Sequence, residues 1–153
     1  MIVENKHYLK AASYAILRSN DGRVLFLRRA GTGYMDGMLG LPSGHVEQNE
    51  SFVEAALREL KEEVGVTAVP HNTKQVLVLH RYQKSGEHDY VDNFFEINEW
   101  EGEPVNNESS KCSELVWANP DDIELEIVPY LKEVFRSIES SEKYLEILRG
   151  DQE

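Results

Sequence analysis

The chain has 153 residues, with 28 Asp or Glu against 16 Lys or Arg, and its formal net charge is −12. That balance opposes nonspecific binding to DNA, RNA or an acidic membrane surface, so a phosphate-bearing ligand would have to meet cations gathered locally. No apolar run approaches membrane-span length, the first ten residues lack a signal-peptide core, and the lone Cys112 allows no intramolecular disulfide; a soluble cytoplasmic domain over residues 1–153, monomer or homodimer, is expected.

In chain order, residues 12–18 and 23–29 are rich in apolar and β-branched side chains around the turn signal Asn20-Asp21-Gly22, and are predicted as strands. Residues 24–27 are all apolar, as are 76–79, so both faces of the sheet should be covered. The glycine-rich loop 31–37 is either a plain connector or a place where backbone approaches a ligand, with Tyr34 or Met38 against a base. Next, Val53, Ala56, Leu57, Leu60 and Val64 recur at spacings of three and four, which predicts an amphipathic helix. Ser51 with Glu54 makes a capping box at its start and Gly65 suits a left-handed stop, so the helix should run over 51–64.

Further strands are predicted over 75–82, 90–97 and 115–118, the first two separated by the turn signal Ser85-Gly86. Trp100 and Trp117 read as packing rather than as stacking platforms. A second helix over 127–138 carries the stripe Ile127, Leu131, Val134, Phe135 and Ile138, with Pro129 acceptable in its first turn. Residues 141–149 suit a short helix or an added strand equally. Two helical layers around a sheet give an α/β fold, an α/β/α sandwich.

Charge on the first helix is uneven. Glu54 and Glu62 each have Arg58 one turn away, whereas Glu59 and Glu63 are like charges one turn apart with no basic residue at three or four places, costing roughly 0.2–0.5 kcal/mol. Hard oxygen ligands so placed suit Mg²⁺, or Mn²⁺ as substitute, which would offset the repulsion and bring charge to a phosphate. A solvated acidic face has the same spacing, and periodicity alone leaves both open.

The longer string is more specific. Gly44, five residues, Glu50, seven residues, then Arg58-Glu59-Leu60-Lys61-Glu62-Glu63-Val64-Gly65-Val66 resembles the Nudix box at every fixed position. The stretch from Arg23 to Glu47 and the run EWEGEPVNNE ending at Glu108 are similar to MutT-like members, and the resemblance spans roughly residues 12 to 138. It implies a mixed sheet with the box across it and hydrolysis of a phosphoanhydride in a small-molecule nucleotide. It also implies that Glu59, Glu62, Glu63 and the Gly44 carbonyl hold divalent ions, with Glu108 as an added acid on the metal side. Arg58 would orient Glu50 and the loop. Glu59 is the first choice for general base and Glu108 the second.

For phosphate, Arg29 stands where MutT-like proteins place an arginine, with Arg28 beside it pointing to the other face. His88 falls roughly where a second arginine is carried, and Arg81 is the candidate to compensate. Family members that prefer oxidised guanine use an amide near the start of the last helix; residues 123–126 here contain none, which points to a nucleoside triphosphate without that specificity. ADP-ribose or a nucleotide sugar is the alternative substrate. A non-catalytic Nudix-fold sensor is a further reading, set against the full complement of box acids.

Overall fold

The computed structural model describes residues 6–84, 88–122 and 124–150; the Ser85-Gly86 signal and Ile123 lie outside them. Alternation along β1 (Leu9–Leu17) organises the interior, because successive side chains of a strand point to opposite faces. Ala12, Tyr14 and Ile16 enter one apolar cluster and Ala15 and Leu17 another. In β2 (Val24–Arg29) Val24 and Phe26 join the first cluster, while Leu25 and Leu27 join the second. Helix α1 (Phe52–Val64) closes the second cluster with Leu60 and Val64, and α2 (Pro129–Glu139) closes the first with Leu131, Val134 and Phe135. The two helices thus cover opposite faces, as the continuous apolar run of β2 requires.

The remaining strands are β3 (Leu39–Gly40), β4 (Ser43–His45), β5 (Thr73–Tyr82), β6 (Asp89–Ile97), β7 (Cys112–Ala118) and β8 (Tyr144–Leu148). A mixed sheet has the order β4-β1-β6-β5-β8, with β1/β6 and β5/β8 parallel and β4/β1 and β6/β5 antiparallel. A smaller antiparallel sheet has the order β3-β2-β7.

Two expectations change. The apolar run 76–79 does not reflect two covered faces: the β5/β6 register shifts between Gln75 and Leu77, and Val76, Leu77 and Leu79 all enter the α2 cluster. The second helix opens at Pro129 rather than at 127, since proline suits the first helical position, and Ile127 instead bridges Leu39. Residues 144–148 resolve as a strand, added parallel to β5. Trp100 and Trp117 stack on each other at 6.0 Å against the α1 cluster. Among the described residues, no helix is long and apolar enough to cross a membrane.

Helix α1 is delimited as its sequence demands. Glu54 N–H donates to the Ser51 hydroxyl at 3.1 Å and Ser51 N–H donates to the Glu54 carboxylate at 2.7 Å, while Gly65 adopts φ 73° and donates to the Lys61 carbonyl. Beyond that stop, the N–H groups of Val105 and Asn107 donate to the carbonyls of Val64 and Glu63, both at 3.0 Å. A β-carbon on residue 65 would lie 3.0 Å from Asn107, so glycine also permits this loop to press on the helix end. Ser51→Ala removes the cap acceptor, and urea unfolding should show a loss of about 1 kcal/mol with activity retained.

Candidate active site

Glu63, in the last turn of α1, faces a cleft of about 510 Å³ whose lining also includes Arg29, Thr32, Ser43, His45, Glu108 and Lys111. That volume falls in the range of small-molecule sites. Strand β4 forms one wall: it pairs with β1 through Ser13 and Gly44, and the Ser43 N–H donates to Glu63 Oε2 at 2.9 Å. A β-carbon on Gly44 would fall 2.0 Å from Glu59 Oε1, so only glycine lets the strand and the carboxylate meet in this way. The loop that caps α1 also reaches the cleft, continuing from Asn107 to a half-buried Glu108 in its lining.

Arg58 joins these parts. Its guanidinium donates to both oxygens of Glu50 at 2.6 and 3.0 Å, to Glu59 Oε1 at 2.6 Å, to Glu62 Oε2 at 3.4 Å and to the His45 carbonyl at 3.1 Å. The Glu50 and Glu59 side chains retain only 12% and 15% of their exposure, whereas Glu62 retains 53%. The pairing with Arg58 holds the Glu50 carboxyl below its ordinary range. Glu59 is therefore not unpaired, contrary to the helical-spacing argument: its partner is the adjacent Arg58, which curls back over it.

Burial dominates the acids. It pushes the Glu63 carboxyl up to about 8, with Glu59 and Glu108 adding to the rise and the Ser43 N–H and Lys111 opposing it. Glu59 is also raised, first by burial and then by Glu62 and Glu108, against the pull of Arg58. Among the described residues no three acidic, imidazole or thiol side chains converge on one point as a finished cation site. Like charges without a counter-ion stay apart, and here Arg58 and the Ser43 amide hold two of them. The donor set nevertheless has the chemistry of a hard divalent site: carboxylates that raise one another's proton affinity, beside a strand stripped to glycine at the point of contact.

The candidate phosphate cations separate. Arg29 lines the cleft, donates to the Tyr34 carbonyl at 2.8 Å and to the Thr32 hydroxyl at 3.1 Å, and lies 5.4 Å over the Tyr34 ring. Arg28 points the other way and is held by Glu114 at 2.6 Å and the Gly37 carbonyl at 2.9 Å. Arg81 is neither an exposed strand charge nor part of the cleft lining: it pairs with the fully buried Asp92 and lies between the rings of Tyr90 and Tyr130, at 4.6 and 4.7 Å. His88 is exposed and its carbonyl accepts from Arg149 at 3.1 Å, again away from the cleft. Tyr34 is 39% exposed and borders a second, much smaller cavity that it shares with Arg81 and Tyr130. Sequence reasoning missed Lys111, His45 and the Ser43 amide as cleft groups, because nothing in a polar run or a short strand signals which distant carboxylate it will face.

Loop 31–37 is more ordered than a plain connector. The Asp36 carboxylate accepts from the Thr32 hydroxyl and from the amides of Thr32 and Gly33, which folds the loop back over the end of β2 and seats Thr32 against Arg29.

Comparison with known proteins accords with this geometry. The NUDIX domain model matches residues 8–138, and the chain belongs to the Nudix family. It is 31% identical over 114 residues to the 8-oxo-dGTP diphosphatase of Escherichia coli strain K12, covering 70% of this chain and 81% of that protein. An RNA pyrophosphohydrolase of Erythrobacter litoralis is 26% identical over 151 residues, covering 88% and 90% of the two chains. In fold, the chain is similar to the MutT NUDIX hydrolase of Burkholderia pseudomallei (TM-score 0.73, 22% identity, 87% and 98% covered) and to a MutT protein of Bacillus halodurans (0.73, 24%, 95% and 94%). The protein is thus a MutT-like Nudix hydrolase, an enzyme of phosphoanhydride cleavage with the mixed-sheet Nudix fold.

Two outcomes test the electrostatics. Arg58→Ala leaves Glu50 and Glu59 unpaired in a poorly solvated place, and denaturant unfolding should lose about 2 to 3 kcal/mol along with activity. An unchanged midpoint would mean that Arg58 acts on substrate alone. The second concerns pH. In the metal-free protein, folded Glu63 keeps its proton to about pH 8, against 4.5 for an ordinary carboxyl, so the folded state binds the extra proton. The resulting stabilisation is complete below 4.5 and is lost as pH rises through 8. The unfolding temperature of metal-free protein should therefore fall over that interval, and Glu63→Gln should flatten the decline; an undiminished slope in the variant would assign it to other groups.

Proposed function

We propose that this enzyme is a Mg²⁺-dependent pyrophosphohydrolase, with Mn²⁺ able to substitute, that converts a nucleoside triphosphate to its monophosphate and pyrophosphate. The observation that carries the reading is the meeting of Glu63 from α1 and Glu108 from its capping loop with Arg29 in one cleft of small-ligand size. The triphosphate preference draws on the relative named as an 8-oxo-dGTP diphosphatase. Its base preference is not carried over: residues 124–126 read Glu-Leu-Glu, and the following Ile127 is buried against β3.

Phosphoanhydride hydrolysis asks a protein for positioning, charge neutralisation and an aligned water rather than for covalent chemistry. Glu59, Glu62, Glu63 and Glu108, with the Gly44 carbonyl, would hold the divalent ions. Such an ion, when bound, neutralises charge developing on the phosphate oxygens. Arg29 binds phosphate. Arg58 keeps Glu59 oriented while Glu50 fastens Arg58 to the loop before α1. Glu59 is the general base: it projects from a helix, its geometry is set by Arg58, and burial raises its proton affinity toward the working range of a base. Glu108 is a metal-side acid on the capping loop.

The test is a nucleotide panel that includes nucleoside triphosphates, ADP-ribose and nucleotide sugars, incubated with protein and Mg²⁺ and resolved by chromatography. Triphosphates should give monophosphate and pyrophosphate, and Glu63→Gln should lower turnover by at least roughly a hundredfold while remaining folded. With kcat followed against Mg²⁺ concentration, Glu59→Gln should stay impaired at saturating metal, whereas Glu108→Gln should recover in large part. The reverse pattern would exchange their roles, and near-normal turnover by folded Glu63→Gln would remove the metal assignment.

A further inference from the structure

The acidic chain has a second cation in the cleft. We propose that Lys111 is a phosphate-binding residue, and that with Arg29 it forms a two-cation clamp for the phosphates of the substrate that are released as pyrophosphate. The proposal deepens the pyrophosphohydrolase reading and rests on it for the identity of the substrate.

Placement comes first. Arg29 ends β2 and Cys112 begins β7, and the two are partners in the antiparallel register. One step further, Ala30 N–H donates to the Lys111 carbonyl at 2.9 Å. Arg29 and Lys111 are therefore brought to the same end of the small sheet, and both line the cleft with Glu63 and Glu108.

The backbone beneath Lys111 is held from two sides. Its N–H donates to the Glu108 carbonyl at 2.9 Å, closing a tight turn that carries an acid at one end and a base at the other. On the other side, a β-carbon on Gly31, where φ is 65°, would lie 2.6 Å from the Ser110 carbonyl oxygen. The loop that carries Lys111 is thus seated directly on the loop that follows Arg29, and a side chain at residue 31 would force them apart.

The distribution of charge selects this lysine. Arg58 is engaged by Glu50 and Glu59, Arg28 by Glu114, and Arg81 by Asp92. Arg29 donates to neutral oxygens of Tyr34 and Thr32. Among the described residues, the Lys111 ammonium has no carboxylate partner at ion-pair distance, although it stands near enough to Glu63 to favour that group's ionised form. A divalent ion held at the acids would serve the phosphates nearest to it, and the far phosphates of a triphosphate need a counter-charge of their own. An ammonium on a short anchored turn supplies one, as a point charge beside the planar fork of Arg29.

The experiment is calorimetric titration of inorganic pyrophosphate, in the presence of Mg²⁺, into wild type, Lys111→Met and Lys111→Arg, with unfolding midpoints and triphosphate kinetics for each. Lys111→Met should weaken pyrophosphate binding by roughly ten- to a hundredfold with an unchanged midpoint, and Lys111→Arg should restore most of it. In turnover, Lys111→Met should raise KM by a similar factor and leave kcat within about threefold. Equal affinity of wild type and Lys111→Met, or a wild type that takes up no pyrophosphate, overturns the clamp even if triphosphates are hydrolysed. Loss in both variants together with a lowered midpoint also overturns it, since that would mark a structural lysine. Lys111-dependent binding of pyrophosphate by a protein that cleaves no triphosphate would uphold the clamp and overturn the nucleotide reading instead.

Discussion

Everything at the site depends on one guanidinium. Arg58 lies on a helix that the apolar stripe has already pinned to the sheet, and from there it reaches Glu50 before the helix, the His45 carbonyl on β4, and Glu59 and Glu62 on its own turns. Planarity and five donors allow a single side chain to satisfy acceptors from three segments at once, which an ammonium at the same place would not. Without that charge, the carboxylates of Glu50, Glu59 and Glu62 would repel one another. With it, Glu59 can be held in a largely buried position while still presenting a carboxylate near the cleft.

Around this anchor the acids are kept in conflict. Glu63 is buried far enough to resist ionisation, and Glu59 and Glu108 increase the resistance. Such an arrangement costs stability in the metal-free protein at neutral pH, the reverse of what selection for folding alone would favour, and it is a common mark of functional sites. The cost is borne by rigid surroundings. Strand β4 gives Glu63 a backbone donor, and the Val105–Asn107 amides cap the carbonyls at the helix end. That capping is also what brings Glu108 to the acids, so a routine requirement of helix termini doubles as a positioning device.

The opposite face of the sheet is built differently. There Arg81, Asp92, Tyr90 and Tyr130 form a closed polar and aromatic group next to the α2 cluster, with Tyr14 and Tyr130 hydroxyls bonded at 2.8 Å. Burial raises the Asp92 carboxyl above its ordinary range against the pull of Arg81, and an ion pair so enclosed needs its partner to remain acceptable in the core. Arg81, the candidate to compensate for His88, pairs with Asp92 on this face and does not line the cleft.

What the sequence determined by itself was local. The limits of α1, its capping box, its glycine stop, the Arg58–Glu62 spacing and the acid-rich helix end follow from contacts within a few residues, where helical geometry leaves little freedom. The spacing of Gly44, Glu50 and the box acids carried the family with it. Long-range packing decided the rest. Whether residues 141–149 became helix or strand turned on the open edge of β5, and one register shift at Val76 sent its neighbours to a single face. Arg28 and Arg29 are adjacent in sequence, yet β7 offered Glu114 to one and the cleft to the other. Lys111 and Glu63 line one cleft because β7 starts beside the end of β2 and the preceding loop caps α1, a coincidence of three elements that no local pattern encodes.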